Sequence, residues 1–334
     1  MKVIKIISLT TVILSFLIFA GCVQSQAEVN NNRSVSNTTA PLPLPTKPTP
    51  VRNEYIKCSE IIFSGRVDGA NFDLFSICSD GSNLQQLTNT PANEMLPAWS
   101  PDGRRLAYTS DTSGIGQVYI LTVTSGETEQ ITFENQNDFP KWIPGQEKIA
   151  VRSTDGKGLW WWSVVNLADK AITKMTEPSY DFFFQTPAWS QDGAKVLYMS
   201  LAEQAARNDG SSQIHISNVD GSDDRALTAN IWANINPIWS PNGQTIAFLS
   251  EMHGTYNQFT LYTMATDGSG QQQVTKHVFP ENALFSFSPD SGAVVIDNAP
   301  IMGKIAVIDL QIGILAELML PEGYQAGQPA WKPQ

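Results

Sequence analysis

Short stretches of alternating apolar and polar residues follow one another from residue 59 to the end of the chain. RRLAYTS and QVYILTV (104–110 and 117–123) read this way, as do KVLYMS, QIHISNV, TIAFLS and FTLYTMA. All are rich in β-branched and aromatic residues. A period of two with that composition predicts β-strands with at least one face on a core. Between them stand SPDG, TSGE and their variants, where Pro and Asp suit the middle of a turn and Gly takes positive φ at little cost. Helical spacing is nearly absent; LAEQAARND (201–209) is the exception.

The strands come in a repeating order. PAWSPDG (97–103) returns as PAWSQDG (187–193) and PIWSPNG (237–243). Fainter copies put Trp99, Trp142, Trp189, Trp239, Phe287 and Trp331 in one phase, at intervals of roughly 40–50 residues, the period of a propeller or array. A second marker keeps step: an apolar–Thr pair ending at Thr88, Thr132, Thr176, Thr228 and Thr275. Each unit then holds four short antiparallel strands. Stacking such sheets radially buries both faces and leaves only short edges. The expectation is all-β: a six-bladed β-propeller with the aromatic of each unit wedged between blades. SEIIFSG (59–65) reads as a second strand and PAWKPQ (329–334) as a first. The two chain ends therefore share one blade.

The first residues differ. Lys2 and Lys5 precede the apolar run IISLTTVILSFLIFA, which ends in FAGC (19–22). The run has the form of a signal peptide. Small residues before a cysteine resemble the lipobox of bacterial lipoproteins, which implies lipidation of Cys22 and a lipid anchor to a membrane surface. Residues 1–21 are expected to be the signal and 22–54 a disordered Asn/Thr/Pro-rich tether. The folded domain is expected over 55–334. Export places Cys58 and Cys78 in an oxidising setting, and a hairpin turning near Asp68-Gly69 brings them to one end, so a disulfide is expected. The formal net charge of -11 argues against nucleic acid and anionic lipid headgroups as partners, since both require Lys/Arg.

PAWSPDGRRLAYTS and YILTVTSGETEQIT resemble the TolB-like propeller repeat, a relative of WD-repeat blades. The resemblance covers about residues 55–334. It is close around Trp99, Trp189 and Trp239. PKWIPGQEK lacks the Asp-Gly turn, FSFSPDSGA has Phe287 for Trp, and the last unit has no apolar–Thr ending. The helical N-terminal domain of TolB has no counterpart here. The resemblance implies an envelope interaction module: a non-catalytic domain that binds a protein or peptide partner, on the periplasmic or cell-surface side. A monomeric domain is expected.

Candidate binding residues lie in the loops that enter each inner strand. Glu94, Asn137, Asn234 and Asn282 each stand five residues before the blade aromatic, and Asp138 and Gln185 stand one step nearer. Equal offsets in successive blades predict a polar ring at the channel mouth. Phe183, within YDFFF (180–184), and Trp232 add aromatics to that rim. The competing expectation is that these polar residues cap turns and meet water. LWWW (159–162) lies in a strand and is expected in the core. Enzyme signatures are thin: no Gly-x-Ser-x-Gly elbow occurs, and His215, His253 and His277 are the only histidines. No cofactor or metal is expected. The alternative is a carbohydrate-active or metal-dependent enzyme resembling oligogalacturonate lyases, with His253, His277 and the acids at the same rim.

Overall fold

The structure, a computed structural model, describes residues 58–176, 187–200, 212–251, 258–297 and 303–334. Cys22, the expected signal and tether, Phe183, Gln185, His253 and the LAEQAARND stretch lie outside the described residues. Among the described residues, 24 strands form six four-stranded antiparallel sheets. The chain is a six-bladed β-propeller.

Blade one joins both ends of the chain, in the order β24 (Tyr324–Trp331), β1 (Glu60–Val67), β2 (Asp73–Cys78), β3 (Gln85–Gln86). Blade two runs β4 (Glu94–Trp99), β5 (Arg105–Ser110), β6 (Gln117–Thr122), β7 (Thr128–Gln130). Blade three runs β8 (Gln136–Trp142), β9 (Lys148–Thr154), β10 (Trp160–Asn166), β11 (Ile172–Lys174). Blade four runs β12 (Ala188–Trp189), β13 (Lys195–Ser200), β14 (Gln213–Asn218), β15 (Arg225–Ala226). Blade five runs β16 (Asn234–Trp239), β17 (Thr245–Ser250), β18 (Thr260–Ala265), β19 (Gln272–Gln273). Blade six runs β20 (Phe285–Phe287), β21 (Ala293–Asp297), β22 (Ile305–Asp309), β23 (Leu315–Glu317). The first strand of each blade is innermost.

The ring closes by pairing β24 with β1, from Ile61 opposite Trp331 to Val67 opposite Tyr324. Cys58 and Cys78 form a disulfide with their Cα atoms 5.1 Å apart. It ties the segment before β1 to the end of β2, inside the composite blade.

Each blade aromatic packs on the blade before it. Trp99 sits with Ile62 and Leu74 of blade one, Trp142 with Ala107 and Val118 of blade two, and Trp331 with Val295 and Ile305 of blade six. Trp189 meets Trp160 and Trp162 of the LWWW stretch. The indole N–H of Trp142 donates to the Ala98 carbonyl and that of Trp239 to the Ala188 carbonyl, both at 3.0 Å. The wedge is apolar on its faces; at its edge Trp142 and Trp239 are hydrogen-bonded, while the indole N–H groups of Trp99 and Trp331 are buried without a hydrogen-bond partner.

The SPDG element is a self-contained turn. Ser100 Oγ donates to Asp102 Oδ1 at 2.5 Å, Arg104 N–H donates to the same oxygen, and Gly103 takes φ 65°. Ser190–Asp192, Ser240–Asn242 and Ser288–Asp290 repeat the hydroxyl contact. The Ser hydroxyls hold the Asp102, Asp192 and Asp290 carboxyls below the usual carboxylate range.

The inner strands share a bulge. Leu96, Phe139, Asn236 and Gln328 have φ between 50° and 58°, and each directly precedes a proline of the inner strand. The ladder register shifts at these points. A proline has no N–H for the ladder and is tolerated at an edge or a bulge. Here the edge is the one that faces the central axis.

Candidate functional site

Of the equally spaced polar residues, Glu94, Asn137 and Asn234 are walled in and Asn282 is exposed. Glu94 and Asn137 are 1% exposed, and Asp138 and Asn234 are 0% exposed. They lie inside the wall, where one blade meets the next. This corrects the expected ring at the channel mouth for Glu94, Asn137, Asp138 and Asn234.

Their equal spacing has another cause. At the junction of blades two and three, Thr132 Oγ1 accepts from Val118 N–H (2.9 Å) and donates to Gln117 Oε1 (2.5 Å). That amide oxygen also accepts from Asn137 Nδ2 (3.2 Å), and Asn137 Oδ1 accepts from Ser153 Oγ (2.7 Å). The junction of blades four and five repeats the relay in part: Thr228 Oγ1 accepts from Ile214 N–H, Asn234 Nδ2 donates to Gln213 Oε1 at 3.5 Å, and Asn234 Oδ1 accepts from Ser250 Oγ. The Thr of the second sequence marker is its first member. Each relay ties a third strand to the inner strand of the next blade and satisfies its buried polar groups, which an interior demands.

At the junction of blades one and two, acids replace both amides. Thr88 Oγ1 accepts from Leu74 N–H and donates to Asp73 Oδ1 (3.3 Å). Glu94 Oε1 accepts from Thr90 Oγ1 (2.6 Å) and Ser110 Oγ (3.1 Å), while its Oε2 is buried without a further partner. Asp73 stands beside it. Burial, reinforced by the Asp73 charge, pushes the Glu94 carboxyl up to about 7. A protonated Glu94 supplies the donor that Asn137 and Asn234 supply with an NH₂.

Asp138 is held by Arg152, whose Nε and Nη2 each donate at 2.7 Å to one carboxylate oxygen. The guanidinium lies 4.2 Å from the Phe139 ring centroid and 4.5 Å from that of Trp160. Of the remaining rim candidates, Trp232 is half-buried and Asn282 is exposed, both on the face of the entering loops. His215 contacts Asp224 at 3.3 Å and rests on Tyr198; His277 rests on Phe279. Among the described residues, no group of three or more His, Cys, Asp or Glu side chains is arranged to hold a metal.

A concave feature of the described domain lies elsewhere. A central cavity of 730 Å³ opens on the opposite face, among the SPDG-type turns. Its deep end is lined by the bulge positions Leu96, Phe139, Asn236 and Gln328, with Leu284 of blade six. Side chains of one blade bond the backbone of another there. Gln328 Oε1 accepts from Leu96 N–H at 2.8 Å, and Asn236 Nδ2 donates to the Ala283 carbonyl at 3.2 Å. Asp297 accepts from the N–H groups of Leu284 and Gln328, and burial pushes its carboxyl up to about 7.

The walls carry the blade aromatics, and the mouth carries prolines such as Pro101, Pro144, Pro241 and Pro289. Such a site, apolar with a few placed polar groups, suits an organic ligand or a chain segment. The sequence signal for it was the proline in each PAW and WSP element, which reads first as turn chemistry. Sequence reasoning missed Lys141; the signal for it is the Lys of PKW, where the sister motifs have Ala, Ile or Ser.

Comparison with known proteins agrees with this architecture. The family model described as TolB beta propeller domain matches residues 57–207 and 164–334. A Protein TolB homolog of Chlorobium luteolum is 28% identical over 203 residues, 61% of this chain and 34% of the relative. The Tol-Pal system protein TolB of Desulfosudis oleivorans is 36% identical over 92 residues, 28% of this chain and 21% of the relative. The matched regions thus span 34% or less of these relatives' lengths. The crystal structure of TolB from Acinetobacter baumannii superposes with a TM-score of 0.70 at 19% identity, covering 83% of this chain and 67% of that one. With a family model that matches both halves of a closed six-bladed ring, the chain belongs to the TolB β-propeller family.

Proposed function

We propose that this protein is a non-catalytic interaction module of the bacterial envelope, and that its central cavity takes up a segment of a partner protein. The observation that carries the reading is the cavity: 730 Å³, floored by bulged inner strands and open among the turns. Its volume is in the range of specific ligand sites. A rigid ring bearing loops and turns is a suitable platform for recognition. The Tol-Pal designation of the Desulfosudis relative supports an envelope protein or peptide as the partner. In this reading residues 1–21 direct export, Cys22 carries the lipid, and 22–54 tether the propeller to a membrane on its periplasmic or cell-surface side.

Gln191 and Asn242 are exposed residues at the cavity mouth. Full-length chain carrying Gln191→Arg and Asn242→Arg is expected to keep its fold and lose capture of the partner from solubilised membranes. Equal capture by this variant and the parent chain would remove the cavity from the function. Substituting Asn282 and Trp232 on the other face is the control, and it should leave capture intact.

A further inference from the structure

Lys141 breaks the pattern of the cavity wall. It directly precedes the blade aromatic of β8. The same position in the other blades holds Ala98, Ala188, Ile238, Ser286 and Ala330. Lys141 lines the cavity. Among the described residues no hydrogen bond or ion pair reaches its ammonium. Burial alone acts on it, pushing the ammonium below its usual value.

The other charged side chains lining the cavity, Asp290 and Lys332, are already engaged. Asp290 accepts from Ser288 Oγ at 2.5 Å and from Gly292 N–H at 3.0 Å. Lys332 donates to Glu60 Oε2 at 2.8 Å and lies 4.8 Å from the Trp99 ring centroid. Lys141 is half-buried in the wall, and an ammonium partly withdrawn from water without a partner carries a cost. Blade packing does not require it, because three of the other blades use alanine there. The cost is recovered when an anion arrives, and in a low-dielectric wall the attraction is strong.

We propose that Lys141 is an anion subsite of the central cavity, and that it binds the side-chain carboxylate of an Asp or Glu in the protein segment taken up there. This rests on the cavity being the partner site. The carboxylate is desolvated against Trp189 and the proline-lined mouth while it pairs with the ammonium, so the segment pairs one acid with apolar neighbours. Charge-assisted pairing of this kind sets specificity as well as affinity.

The test uses the immobilised full-length chain and a library of random decapeptides that carry a photo-crosslinker. Selected peptides are located by mass spectrometry of their crosslinks. Peptides that crosslink to Pro241 or Pro289 are expected to share an Asp or Glu. Changing that residue to its amide should weaken binding to the parent chain about tenfold or more, and Lys141→Met should do the same, with no further loss when both changes are combined. Lys141→Arg is expected to retain binding. The thermal midpoint of Lys141→Met should be equal to or above that of the parent, which a packing role would not allow. Cavity-crosslinked peptides without an acid, or indifferent to its amide, would overturn the subsite and leave the cavity as the partner site. An absence of crosslinks in the cavity would overturn both. The amide comparison needs no protein variant, so a poorly folding Lys141→Met leaves the outcome decisive.

Discussion

Glu94 shows how one residue can carry a chemistry different from that of its counterparts. Asn137 and Asn234 offer an NH₂ to the preceding blade; Glu94 offers a donor only while protonated. Its carboxyl is raised to about 7 by burial and by Asp73. A carboxyl raised in the folded state contributes fully at low pH, and its contribution declines as pH rises from the ordinary Glu range to about 7. Unfolding midpoints in urea are therefore expected to fall between pH 5 and pH 8. Glu94→Gln should flatten part of that decline and stabilise the protein at pH 8 by roughly 1–3 kcal/mol, the cost of an unsatisfied buried group. Parallel pH profiles for the two proteins would refute the assignment. Asp297, also raised to about 7 by burial, accounts for a further part, which Asp297→Asn should remove. In the sequence Glu94 and its Asn counterparts were visible as a set. Their role was not, because a side chain just inside a strand and one just outside it look alike in a list of loops.

The recurring element is the inner strand, with its aromatic wedge, its proline and its left-handed residue. Holding a non-Gly residue at positive φ costs on the order of 1–3 kcal/mol, and the surroundings here are arranged to hold it. Gln328 is both such a residue and the acceptor for Leu96 N–H of the next blade. Gln328→Ala should leave that amide one acceptor short and destabilise the domain by roughly 1–3 kcal/mol in urea titrations. Truncating a wedge should cost more: Trp142→Ala is expected to lose about 3–5 kcal/mol, read from the same titration. The turns following these strands were legible in full, because Ser, Asp and Gly act within four consecutive residues. The bulge was not. It depends on where the ladder of the neighbouring strand runs, and a proline alone does not announce the φ of the residue before it.

For the molecule as a whole, closure is the decisive event. Pairing of β24 with β1 joins residues that are far apart in sequence, and the Cys58–Cys78 disulfide lies in that same blade. Cys78→Ser should destabilise the propeller by about 3 kcal/mol, the scale for a short closed loop, measured as a lowered urea midpoint relative to the oxidised parent. The expected lipid at Cys22 has its own check: Cys22→Ser should abolish metabolic labelling with palmitate and release the chain from membranes, and persistent labelling would exclude that cysteine. The repeat period, the four-strand unit, the composite blade and the disulfide were all determined by the sequence itself. Each rests on local alternation, turn chemistry or a phase that many residues vote on together. Which face carries the cavity, and which equally spaced residues are walled in, only the tertiary structure decided. Burial depends on what the neighbouring blade brings up to a side chain, and that neighbour lies some forty or more residues away.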